Sequence, residues 1–273
     1  MADKPRLGAH AALYLKPLLY GLERSESPFS VFIDLPAVVA LKFSERPGEL
    51  QGAFLSPIDY ARHGGQYHIV PGICVSSSSP TSAIQLFIKQ DRSNITTIAV
   101  DIRVTSEIIL AKIVLTECFP NLPSDPRTLQ FLPMLPDVDV MLKKADAALI
   151  INDSPVARPD PGIFSLDLVE EWNDLTGLPY VHGFWTARAE HLSTEELRAL
   201  LAAKEQGASN LGLLSARLAP QFGISEEICL QYLTSFSYDM RGDEEASLTE
   251  FFRYSFYHGT IRDLPELNFF SLA

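Results

Sequence analysis

The stretch Glu170-Glu171-Trp172-Asn173-Asp174-Leu175-Thr176-Gly177-Leu178-Pro179-Tyr180-Val181-His182-Gly183-Phe184-Trp185 decides how this chain folds. An acidic helical turn carrying Trp172 stops at Gly177-Leu178-Pro179 and restarts as an aromatic strand. Gly177 can take a left-handed cap, Pro179 cannot continue a helix, and Tyr180, Val181, Phe184 and Trp185 suit a pleated, buried surface. The stretch reads as a joint.

Outward from the joint, short β-rich runs alternate with helical runs, which argues an α/β fold with mostly parallel strands. Residues 30–34 read as a strand, and a helix opens near Pro36 and stops at Pro47-Gly48. Strand 52–55 runs into Ser56-Pro57-Ile58-Asp59, where Ser56 can cap, Pro57 fits the first helical position and Asp59 has capping-box spacing. Ser56 therefore stands at the carboxyl end of a strand, where open α/β sheets place ligands. Residues 68–76 and 82–89 are extended, and the pattern begins again at 97–101. A helix over about 105–119 ends at Pro120, and the Pro-rich stretch 120–136 holds one strand candidate, 128–132. Helix 138–144, strand 147–152, a loop with Pro155, Pro159 and Pro161, and helix 168–176 follow. A segment entered through 82–89 and left through 180–188 crosses between two bodies twice, which is the shape of an inserted lobe. The expected division is residues 1–86 with 180–273 in one lobe and 87–179 in the other. Beyond the joint the chain reads as helical. Ser193 has capping-box spacing to Glu196, Ser225 opens a second helix, and a third, about 243–258, carries Phe251, Phe252, Phe256 and Tyr257 as a packing stripe up to Gly259.

A chain of 273 residues with 47% hydrophobic content can bury a full core. Its net charge of −12 argues against nucleic-acid and anionic-membrane partners, since no Lys/Arg run can neutralise several phosphates. A small molecule is the expected partner. Cys74, Cys118 and Cys229 are odd in number and lack metal spacing, so buried free thiols are expected. Lys16 and Pro17 interrupt the apolar patch of the first 22 residues, no cleavage site follows, and no run of 18 apolar residues occurs. A cytoplasmic location is the corresponding expectation.

Nucleotide, zinc-protease, serine-hydrolase and EF-hand motifs are absent, so neither a cofactor nor a metal is expected. The sequence offers instead hydroxyls and backbone donors near strand ends: Ser56, Ser76-Ser77-Ser78-Ser79, and Thr105-Ser106 at a helix start. A helix start presents free N–H groups and partial positive charge to a carboxylate, although Thr105-Ser106 reads equally as an ordinary cap. Ser76 and Ser77 open either a polar loop or a ligand wall. Asn152-Asp153 ends an apolar strand, either toward a cleft or in an Asx turn. His182 reads as a packed, hydrogen-bonded residue or as a catalyst. The remaining histidines, His10 among them, form no ligand spacing.

Taken in chain order, Pro17-Leu18-Leu19-Tyr20-Gly21-Leu22-Glu23, Ser56-Pro57-Ile58-Asp59-Tyr60-Ala61-Arg62, Pro71-Gly72-Ile73-Cys74-Val75-Ser76-Ser77, Thr105-Ser106, 145–153 and the joint resemble the chorismate dehydratases of the futalosine route to menaquinone. That resemblance implies a two-lobed, periplasmic-binding-protein type II-like fold. It also implies a hydro-lyase converting chorismate to 3-[(1-carboxyvinyl)oxy]benzoate, with a dicarboxylate between the lobes at Ser56, Ser76, Ser77, Thr105, Ser106, Asn152 and Asp153. Against the family pattern, Tyr14 stands in place of an Asn, Ala83 in place of a Ser, and His182 where an aromatic residue is usual. The first two departures predict slow turnover, or a non-catalytic binder of a small aromatic or enolpyruvyl carboxylate.

Overall fold

Strand β1 (Arg6–Ala9) is flanked in parallel by β2 (Ser30–Ile33) and β3 (Gly52–Leu55), and these begin a five-stranded sheet of order β2-β1-β3-β10-β4. Its other members are β4 (His68–Ser77) and β10 (Tyr180–Ala187). A second five-stranded sheet has the order β7-β6-β8-β5-β9 and is built from β5 (Ile84–Lys89), β6 (Thr97–Asp101), β7 (Gln130–Met134), β8 (Ala147–Ile151) and β9 (Ile163–Asp167). The computed structural model describes residues 4–24, 26–63, 66–89, 94–119, 122, 128–152 and 162–272.

The chain passes from the first sheet to the second between β4 and β5 and returns through helix α6 (Leu168–Thr176) into β10. This is the two-lobed α/β arrangement with two chain crossings. Strands β10 and β5, which follow the crossings, run antiparallel to both neighbours, so four of the eight pairings among the described residues are antiparallel rather than the sheets being mostly parallel. A strand that enters a sheet from a crossing lacks the crossover connection within one sheet that sets its neighbours parallel.

The joint behaves as its residues dictate. Gly177 adopts φ 70°, and its amide closes α6 onto the Asn173 carbonyl. Asp167 caps the other end, accepting from the Val169 and Glu170 amides. Trp172 is fully buried against Tyr180, Phe251 and Tyr254, and its indole N–H donates to Ser247 Oγ at 3.2 Å. In β10 the pairing with β4 slips between Val181 and Gly183, and a Cβ on Gly183 would stand 2.4 Å from the Phe54 ring, so only glycine fits beside His182.

Helices α5 (Val138–Lys144) and α6 have the expected limits. The capping box of α7 (Thr194–Ala208) at Ser193 and the Ser225 cap of α9 (Glu226–Thr234) also form. Helix α2 (Pro36–Glu45) opens at Pro36 as expected, whereas helix α1 (Lys16–Tyr20) was not expected, and neither were two later elements. Strand β9 follows Pro155, Pro159 and Pro161 in the sequence, and α8 (Leu211–Phe222) carries Pro220 inside it. Of the aromatic stripe on α10 (Gly242–Tyr257), Phe251 and Phe252 are buried, whereas Phe256 and Tyr257 lie on the solvent side of the helix. Cys74 and Cys229 are buried free thiols, while Cys118 is only half-buried. No helix among the described residues is long and apolar enough to cross a membrane.

Candidate functional site

Five strands point their carboxyl ends at one cavity of about 280 Å³. His10 follows β1, Asp34 follows β2, Ser56 follows β3, Arg103 and Thr105 follow β6, and Ile151 ends β8. Both sheets contribute, so the cavity is the cleft between lobes. Helix α4 (Ser106–Glu117) sends Glu107 from its first turn into the wall, and β10 sends His182.

Of the residues singled out from the sequence, Ser56, Thr105, Tyr14 and His182 line this cavity. Ser56 Oγ donates to Asp59 Oδ2 at 2.7 Å and caps α3 (Pro57–Ala61). Thr105 precedes α4 without capping it through its side chain, and its amide donates to Glu107 Oε2 at 2.7 Å. Ser106, Ser76, Ser77, Asn152 and Ala83 are not among the lining residues. Ser106 Oγ accepts from the Ile58 amide, and Ser76 Oγ donates to Glu244. Ser77 Oγ lies 2.8 Å from His182 Nε2, one residue behind the wall. Asn152 ties the first crossing, its side chain donating to the Ser82 carbonyl and its amide to the Ala83 carbonyl. Asp153 lies outside the described residues.

Sequence reasoning passed over the charged groups of the cavity. Glu107 is 4% exposed, and burial pushes its carboxyl up to about 7, with the nearby Asp59 and Asp101 charges adding to the effect and the Thr105 amide opposing it. His10, half-buried, is held down at about 4 by burial and by the charges of Arg103 and Lys16. Burial brings His182 down to about 3, with His10 adding to it. Burial also raises Asp59, against the bonds from Ser56 and Arg62. Near neutral pH both imidazoles are therefore uncharged and Glu107 keeps a large share of its proton. The guanidinium of Arg103 is fixed by Asp101 at 2.6 Å and by the Ile151 carbonyl. Tyr14 closes the aromatic side, with its ring 5.1 Å from His182 and 5.7 Å from His10. A guanidinium, a protonated carboxyl and neutral imidazoles around one apolar floor can hold an organic anion and move a proton to and from it.

A family model described as menaquinone biosynthesis matches residues 5–257. The chorismate dehydratase of Thermus thermophilus is 25% identical over 215 residues, which cover 75% of this chain and 79% of that protein. Among solved structures, protein AF1704 from Archaeoglobus fulgidus superposes with a TM-score of 0.70 at 18% identity, covering 94% of this chain and 98% of its own. The periplasmic aliphatic sulphonate binding protein of Escherichia coli gives 0.60 at 13% identity, over 97% and 91% of the two chains. These likenesses establish the periplasmic-binding-protein fold, and the match along nearly the whole length means that this chain belongs to the menaquinone biosynthesis family.

Proposed function

We propose that this protein is a chorismate dehydratase-like hydro-lyase, converting chorismate to 3-[(1-carboxyvinyl)oxy]benzoate. The observation that carries the reading is that Glu107 and His10, from the two sheets, line one cavity, where burial pushes the first up to about 7 and holds the second down at about 4. Paired groups whose surroundings push them apart divide into acid and base. In this reading Glu107 donates its proton to the departing hydroxyl, the neutral His10 takes the ring proton, and the C–O bond breaks as the ring becomes aromatic. Water leaves, and proton return from His10 to Glu107 through solvent resets the site. Arg103 and the helix start at Thr105 hold a carboxylate meanwhile. The related dehydratase supports the substrate class.

The lobe division proposed from the sequence, 1–86 with 180–273 and 87–179, places His10 and His182 on one side and Arg103 and Glu107 on the other. Of the sequence-derived contacts, we keep Ser56 and Thr105 as direct binding residues and Ser77 as the support of His182. Chromatographic detection of the aromatic product, against a no-enzyme control for spontaneous breakdown, tests the reaction. A second reading, binding of a small aromatic or enolpyruvyl carboxylate without turnover, is favoured by Tyr14, which fills part of the cleft wall with a buried ring. Chorismate bound without product would select it.

A further inference from the structure

The run Ile33-Asp34-Leu35-Pro36, which turns from β2 into α2, lines the cavity on the side of the first sheet. Of the described residues in the cavity wall, those exposed to solvent are Ala11, Ile33 and Leu35, all apolar, whereas Asp59 and Glu107 are buried. A residue that both lines a cavity and faces solvent stands at its mouth, so the mouth is aliphatic and the buried acids lie deeper. Ile33 is 40% and Leu35 37% exposed. Single exposed leucines are ordinary, but the place of Leu35 in the chain is not. It is the N-cap of α2, extended at φ −60° and ψ 145°, and makes no side-chain cap. Leucine is among the poorest residues at that position. Helix α3 shows the alternative: it too follows a strand of the first sheet and opens on a proline, but its N-cap is Ser56, which accepts from the Asp59 amide. Ser56 lines the same cavity, so the two N-caps are counterparts in one wall, one polar and one apolar. Asp34, one residue early, places an oxygen on the Leu35 amide at 2.8 Å. A local rule broken at a solvent-facing position of a cavity wall points to function.

We propose that Ile33 and Leu35 form an apolar subsite at the mouth of the cavity, which takes an uncharged hydrocarbon substituent of a ring carboxylate whose anionic end lies inward at Arg103. The proposal rests on the reading of this cavity as the ligand site and adds a preference among carboxylates. Arg103 follows β6 of the second sheet and Ile33 ends β2 of the first, so the two ends of a bound ring meet different sheets. Covering the two aliphatic side chains with a hydrocarbon group removes apolar surface from water, and that gain falls to the ligand. A serine at position 35 gives α2 a better start and the mouth no apolar grip. That substitution therefore separates stability from binding.

The test is calorimetric titration of wild type, Leu35→Ser, Leu35→Met and Ile33→Thr with benzoate and its 4-methyl, 4-ethyl and 4-propyl homologues, and of wild type with chorismate. Each carbon added at the mouth should tighten wild-type binding by about twofold to fourfold. That gain per carbon should persist in Leu35→Met and fall below about 1.5-fold in Leu35→Ser. Ile33→Thr should reduce it as well, and carries the test where Leu35→Ser fails to fold. With its cap restored, Leu35→Ser should melt about 1–3 °C above wild type, so that its loss of grip is not a loss of fold. A flat series in wild type, or an undiminished gain per carbon in folded Leu35→Ser and Ile33→Thr, overturns the proposal. A rising series in wild type with no binding of chorismate overturns the substrate reading and leaves the subsite standing. Chorismate bound and converted, with a flat benzoate series, does the reverse. Binding of no probe overturns both.

Discussion

The Ser106 hydroxyl accepts the Ile58 amide hydrogen at 2.9 Å, joining the start of α4 in one lobe to the start of α3 in the other. Ser106 is fully buried, so this bond is a strut beneath the cavity and leaves no hydroxyl for a ligand. Ser106→Ala strands a buried N–H and should cost about 1–3 kcal/mol. Urea unfolding monitored by tryptophan fluorescence checks this. An unchanged midpoint would mean that the lobes do not depend on the strut.

Glu107 should make stability depend on pH in the direction opposite to an ordinary surface carboxylate. Its folded value is about 7 against 4.5 in the free residue, so between these the native state holds a proton that the unfolded chain has lost. Stability from this group is therefore full below about 4.5 and is lost as pH rises toward 7, by about 1.4 kcal/mol per unit at most. The two imidazoles, His182 buried and His10 half-buried, act oppositely. With His10 near 4 and His182 near 3, their contribution is present above 6.5 and lost as pH falls through those values. Melting temperatures from pH 4 to 9 should show the fall in stability between about 4.5 and 7 flattened in Glu107→Gln.

Asp167 serves both crossings at once. One oxygen accepts from the Val169 and Glu170 amides and the other from the Ser82 amide at 2.7 Å, where Ser82 holds the left-handed φ of 56°. Asp167→Ala should cost about 2 kcal/mol or more, because a cap and a second amide partner disappear together. Ser82→Gly should be neutral or stabilising by up to about 1 kcal/mol, since glycine takes that conformation freely. Calorimetric melting separates the two outcomes, and a strongly destabilised Ser82→Gly would contradict the account.

Tyr14 and Ala83, paired by the family pattern, part company in the structure. Tyr14 lines the cavity, whereas Ala83 is fully buried with its carbonyl bonded to the Asn152 amide. Tyr14→Asn should raise the rate of product formation by about tenfold or more, within the range that one placed polar group supplies. Ala83→Ser should leave the rate unchanged. Steady-state kinetics on the two single variants decides this.

Much of the fold was legible because its signals are local. Gly177-Leu178-Pro179 ends α6, Ser193 and Ser225 cap their helices, and the limits of α5 and α6 follow from hydrophobic period and stop signals. Strand β9 was not legible, because Ile163 to Asp167 follows three prolines and its partner β5 is more than 70 residues away. The site was legible only in outline. Ser56 and Thr105 stand where a strand hands over to a helix, which the chain order reveals. Glu107 reads as an ordinary first-turn acid and His10 as an isolated histidine, and it is their meeting in the wall of one cavity, from two different sheets, that sets them apart. Position in the chain marks strand ends; it does not mark desolvation.

The account stands most directly on the pH dependence of the aromatic product's formation from chorismate, measured for wild type and Glu107→Gln. The predicted result is a wild-type rate above the no-enzyme control that falls as pH rises through about 7, where Glu107 loses its proton, and a rate at least about a hundredfold lower in Glu107→Gln below that pH, with the gap closing above it. A wild-type rate no greater than the control, or a Glu107→Gln rate equal to wild type with the same profile, would contradict it.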